Sequence, residues 1–173
     1  STQAELAYRS NFFIRLLNSF LSLGTGVLSL VVIFNQVETI NGWSLPGTLA
    51  LLGIYLLLGG LRGLFISPSL ESVAGMDGEI WQGTFDFTML RPVDKQFLVS
   101  FRNWRIYALF DVALALGVLI YAIILLGETL SLGILLSFLL MLLASVILLY
   151  SSLLAFSALV FWNSGFLFTW IIN

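Results

Sequence analysis

The sequence predicts an all-α, polytopic helical membrane protein, and three observations carry that prediction. Sixty percent of its 173 residues are hydrophobic, 9% are charged and mean hydropathy is +1.06, against about 45–50% apolar and about 25% charged in soluble domains. The apolar residues gather in runs that reach the roughly 20 residues a helix needs to cross a hydrocarbon core. Those runs are unbroken Leu, Ile, Val and Phe, whereas a spanning β-barrel would show alternating segments of about ten residues. Four to five transmembrane helices are expected in the chain.

Residues 3–16 mix charges with Tyr8, Phe12, Phe13 and Ile14, a pattern of a helix lying in the membrane interface or of a frayed start to the first span. Acidic Glu5 precedes Arg9 and Arg15 and no small-residue cleavage site follows, so this start does not read as a signal peptide. The first span is expected over 17–34, with Gly24 and Gly26 allowing close packing. A polar turn from Asn35 to Pro46 follows, with Trp43 at the level of an interfacial aromatic. The second span, 49–66, holds the small-residue pair Gly59 and Gly63, and Arg62 near its end can snorkel to the headgroups. Ser67-Pro68-Ser69 is expected to end it. The third span is expected over 106–126, after which Gly127 and Glu128 turn the chain. The apolar run 130–162 exceeds one straight span. It reads as one helix projecting beyond the bilayer or as a helix plus the re-entrant start of a fifth span, with a break at Tyr150, Ser151 and Ser152.

The bases orient the chain. Arg9 and Arg15 precede the first span, and Arg62, Arg91, Lys95, Arg102 and Arg105 lie between or at the edges of the second and third. The other two loops hold Glu38 and Glu128 but no Lys or Arg, so the positive-inside rule places the N-terminus and the long polar loop, 67–105, in the cytoplasm. Phe12, Phe13, Phe161, Trp162, Phe166 and Trp170 cluster near the same ends and read as belt residues.

With no cysteine and no histidine, thiolate chemistry, histidine acid–base catalysis and the common zinc and haem ligands are excluded from this chain. No G-x-x-x-x-G-K-[ST] occurs, and the one lysine, Lys95, follows Pro92-Val93-Asp94, so the chain carries no nucleotide-phosphate cradle. No nucleic-acid partner is expected. Asp111 is the one acid inside an apolar span. It is either a residue of a translocation path or a structural carboxylate paired with Tyr107, Arg105 or another helix. An intramembrane enzyme would need paired acids or a nucleophile with its base, which the spans lack.

Within the long loop, residues 78–92 are spaced as a short amphipathic helix, with Ile80, Phe87 and Leu90 on an apolar face and Pro92 as its stop. It reads as an interfacial helix or as a docking helix for a soluble partner. The pattern Ile80, Gly83, Asp86, Leu90, Arg91, Pro92 after two spans, with Tyr8-Arg9 ahead of the first and Gly42-Trp43 in the outer loop, resembles permease subunits of type-2 ABC transporters. The resemblance implies a six-span subunit, with two more spans than this chain carries, so the chain is expected to lack a C-terminal part. It further implies an exporter in the cytoplasmic membrane of a prokaryote, paired with a second permease copy or a similar permease. Separate ABC ATPase subunits would hold ATP and Mg, with no cofactor in this chain. Residues 67–92 would contain a coupling helix, with Glu79, Trp81, Gly83, Asp86, Leu90, Arg91 and Pro92 as docking residues and Glu71 and Asp77 as further acids for a basic partner. Asp86 can instead brace the loop through Arg91. A membrane scaffold that recruits a soluble protein through the same loop is the competing function.

Overall fold

The computed structural model describes residues 2–127 and 131–162. Its regular structure is α1 (Thr2–Phe34), α2 (Leu45–Leu61), a π-helical turn (Arg62–Ile66), α3 (Ser67–Ala74), α4 (Phe85–Met89), α5 (Lys95–Phe101), α6 (Ala108–Leu126) and α7 (Leu132–Trp162). Among the described residues there is no strand, only an isolated antiparallel bridge between Ile40 and Trp43. Four helical stretches there are long and apolar enough to cross a membrane: Leu16–Phe34, Leu45–Ala74, Ala108–Leu126 and Leu132–Trp162. The protein is the polytopic helical membrane protein its composition predicts.

Pro68 does not end the second helix, contrary to expectation. A proline inside a helix has no N–H for the carbonyl four residues back, and its ring crowds that carbonyl. Here the preceding turn opens to π geometry, so that the Ser67 N–H donates to Arg62 O, five residues back. The Leu64 carbonyl that Pro68 leaves free accepts the Arg105 N–H at 2.8 Å. Pro68 then sits in the first turn of α3, where its missing donor costs nothing.

Nor does the polar group at Tyr150 break α7, which runs unbroken to Trp162. The Ser151 and Ser152 hydroxyls each donate at 2.8 Å to the carbonyl four residues back, which satisfies them without interrupting the helix. At 31 residues α7 is about 46 Å long, longer than the hydrocarbon thickness of about 30 Å. Residues 3–16 are likewise one continuous helix with the first span. Phe166, Trp170 and Glu128 lie outside the described residues.

The chain divides into two compact units. One is Ser1–Leu57 with Phe110–Thr129, the other Leu58–Leu109 with Leu130–Asn173. Within the first, Leu49, Gly53 and Leu57 recur every four residues as the buried face of α2, and Ala115, Leu119 and Ala122 do the same on α6. Gly53 is the closest approach: a Cβ there would stand 3.1 Å from the Leu119 backbone. Gly26 packs on Leu52, whereas Gly24 and Gly59 face open space and Gly63 meets only the Ala108 methyl. Phe20 and Phe110 join α1 to α6 edge to face at 5.5 Å. In the outer loop, Asn41 and Gly42 both take positive φ between the paired Ile40 and Trp43, the two-residue turn that Asn-Gly favours.

In the second unit, Ile66, Leu70 and Ala74 of the π turn and α3 pack with Leu153 and Val160 of α7. Ile80 of the loop and Val99 of α5 close over this core. The second half of α7 is therefore a wall against which the polar loop is built.

Candidate functional site

The loop between the second and third spanning helices is tied down at both ends. At its base, Arg105 donates its backbone N–H to Leu64 O and its guanidinium to the Glu71 carboxylate, joining the π turn, α3 and the approach to α6. Ser69, fully buried, donates its hydroxyl to Asn103 O at 3.0 Å and accepts the Asn103 N–H at 3.2 Å. These contacts make the two strands of chain that leave and return to the spans one body.

Glu79 is the hub of the outer part. Its carboxylate meets Arg102 at 2.5 Å and accepts the Thr88 hydroxyl at 2.6 Å. Its carbonyl accepts the N–H groups of Thr84 and Phe85. Burial alone would raise the Glu79 pKa, but the hydrogen bonds from Arg102 and Thr88 and the charges of Arg102 and Arg91 outweigh it and hold the carboxyl below its usual 4.5. Gly78 passes so close to the end of α3 that a Cβ would collide with Val73 O at 2.5 Å.

The 78–92 segment is not the single helix expected of it. Hydrogen-bonded turns run to Gly83, whose φ of +67° breaks helical geometry, and only Phe85–Met89 forms α4. The expected apolar face divides accordingly: Ile80 packs on the core, while Phe87 and Leu90 stand 71% and 79% exposed. Trp81, Gly83, Asp86, Arg91 and Pro92 share that outer surface. Among the described residues the ion pairs are Arg102–Glu79 and Arg105–Glu71, and Asp86 joins neither. Below this surface an open cleft of about 500 Å³ lies between Pro68, Glu71, Met76, Asp77 and Arg105.

A membrane chain with a braced loop after its second span is a pattern that comparison can place, and residues 20–166 match the family described as ABC-2 family transporter protein. The chain belongs to the ABC-2 transporter family. No curated protein and no solved structure matches it. As an ABC-2 permease it is a multi-pass membrane transport subunit, and membership implies association with an ABC ATPase.

In this permease Asp111 lies in the first turn of α6 and accepts a hydrogen bond from the Ser19 hydroxyl of α1. Arg105, one of its expected partners, is engaged by Glu71 instead. The residues that organise the loop, Glu71, Thr88, Arg102, Asn103 and Arg105, were not legible as a set. Two signals pointed toward them: Pro68 must strand the Leu64 carbonyl, and Arg102 and Arg105 follow two acids, Glu71 and Glu79, that lie across the same loop.

Proposed function

We propose that this permease is the membrane-spanning subunit of an ATP-driven exporter, whose loop surface around Trp81, Asp86, Phe87, Leu90 and Arg91 receives the movement of a separate ATPase subunit. The observation that supports it is the double anchorage of the loop. Arg105 and Ser69 bind its two ends together and Glu79 holds its outer turns to Arg102, so a force on the outer surface reaches both adjoining helices rather than dissipating in the loop. Exposed Asp86 and Asp77, outside the ion pairs, offer carboxylates to basic partner residues. ATP and Mg²⁺ belong to the partner, and a second permease copy completes the path in the cytoplasmic membrane of a prokaryote. Glu79 and Gly83 act in this scheme by shaping the surface, and Pro92 by ending it. Asp111 with Ser19 is a candidate polar point on the path.

The test is copurification from detergent with ATPase activity as the readout, comparing wild type with Asp86→Arg and Leu90→Asp, both exposed and free of the internal clamps. Loss of the ATPase at unchanged thermal stability is the expected result. If wild type retains no ATPase, or if loop-to-partner distances ignore nucleotide, a recruiting scaffold is the better account.

A further inference from the structure

We propose that the second half of the long loop, Phe97 to Ile106, is embedded in the membrane interface with its aromatic face in lipid, so that only the first half of the loop stands in water. Sequence reading assigned all of 67–105 to the aqueous side because it carries so many charges. The structure separates those charges from the apolar groups.

Phe97, Phe101 and Trp104 recur at helical spacing and are 62%, 43% and 59% exposed, and Ile106 beyond them is 74% exposed. The opposite side of the segment is fixed to protein. Val99 packs on the loop core, and the buried Ser100 hydroxyl shares a 2.6 Å hydrogen bond with the Tyr150 hydroxyl of α7. The aromatic face therefore cannot turn inward. Arg102 and Arg105, which sit between the aromatics in sequence, are drawn away to Glu79 and Glu71. The Trp104 indole N–H donates to Phe101 O at 3.0 Å, so the ring carries no unsatisfied donor into an apolar setting.

Two features identify the covering phase as lipid. Phe65 lies in the helical stretch Leu45–Ala74 that is apolar enough to cross a membrane. Its ring stacks on Phe101 at 5.9 Å and lies 6.0 Å from Trp104, which puts the aromatic face at the depth of a spanning helix. The face also continues without interruption through Ile106 and exposed Leu109 into the spanning helix Ala108–Leu126. Aromatic side chains at the end of a span, with a base such as exposed Lys95 at the margin, are the composition of an interfacial anchor. The inference does not rest on the exporter reading.

The chain has no native cysteine, so nitroxide labels on Phe97→Cys and, separately, Leu90→Cys report one site each. The full-length protein is reconstituted in phosphatidylethanolamine and phosphatidylglycerol vesicles. The label at 97 is expected to collide several-fold more with oxygen than with an aqueous nickel complex, and the label at 90 to show the reverse. A label at 97 as open to nickel as that at 90 overturns the proposal. So does one shielded from both reagents, which would mean that a second copy or another protein covers the face. A variant retaining Trp104 as its one tryptophan keeps α5 intact and repeats the test. Its fluorescence should be quenched by lipids brominated near the headgroup and little by acrylamide, and the opposite result overturns the proposal independently.

Discussion

The helices of the first unit and the loop of the second hold together by opposite means. Between α2 and α6 the decisive contact is an absence of side chain, Gly53 against the Leu119 backbone, and the polar link from α1 is Ser19 to Asp111. In the loop the decisive contacts are charged: Glu79 with Arg102 and Thr88, Glu71 with Arg105. The contrast follows from the surroundings. Lipid is as apolar as a leucine face, so spanning helices gain by close approach and dispersion rather than by hiding apolar area. The loop has too few apolar residues for a full core, and directed bonds supply its shape.

The comparison is most easily broken at Gly53. Gly53→Leu should destabilise by roughly 1–3 kcal/mol, because the added atoms meet backbone that cannot move aside, whereas Gly59→Leu, facing open space, should be close to neutral. Thermal unfolding in detergent distinguishes them, and equal effects would deny that backbone approach is what joins these helices. Next in size is Arg102→Ala, expected to cost the loop about 1–2 kcal/mol as the half-buried Glu79 carboxylate loses its ionic hydrogen bond. Faster proteolytic nicking between Met76 and Pro92 is its readout.

The same hub gives a pH dependence. Because the folded-state Glu79 pKa lies below 4.5, its contribution is fully present above that pH and is lost as pH falls through the lower folded value. Wild-type nicking should accelerate in that acid range, and Glu79→Gln, already lacking the charge, should lose this component of the response. Smaller again is Ser19→Ala, near the roughly 0.6 kcal/mol typical of hydrogen bonds between membrane helices; a much larger loss of thermal stability would give the Ser19–Asp111 link more weight than lipid-embedded bonds usually carry. Smallest are Ser151→Ala and Ser152→Ala, expected within about 0.5 kcal/mol, since each hydroxyl bonds only its own helix.

What could be read from the sequence was what depends on long apolar runs: the helical membrane class and the isolation of one polar loop. What could not be read depends on partners far along the chain. Pro68 was a stop signal by local rules, and it is not one because Arg105 supplies the donor that the Leu64 carbonyl needs. Ser151 and Ser152 looked like a break because their polarity was visible and their back-bonding was not. The site divided in the same way. Gly83 is a turn residue, as glycine permits, and Asp86 and Leu90 reach the surface. Glu79 sat in the same short segment, yet its carboxylate turns inward to an arginine that spacing alone could not assign to it.

The π turn at Arg62–Ile66 also makes the chain sensitive to length at that point. Such a turn accommodates one residue more than the α-helical turn it replaces, so deleting a single residue there would let ordinary α geometry close up. Each residue of an α-helix advances the rotation by about 100°, and α3 would be turned by about that angle on the axis of α2. Glu71 would then point away from Arg105 and Ser69 away from Asn103, so that both links break although all four side chains are still present. A one-residue gap, harmless in most loops, is here a change of phase.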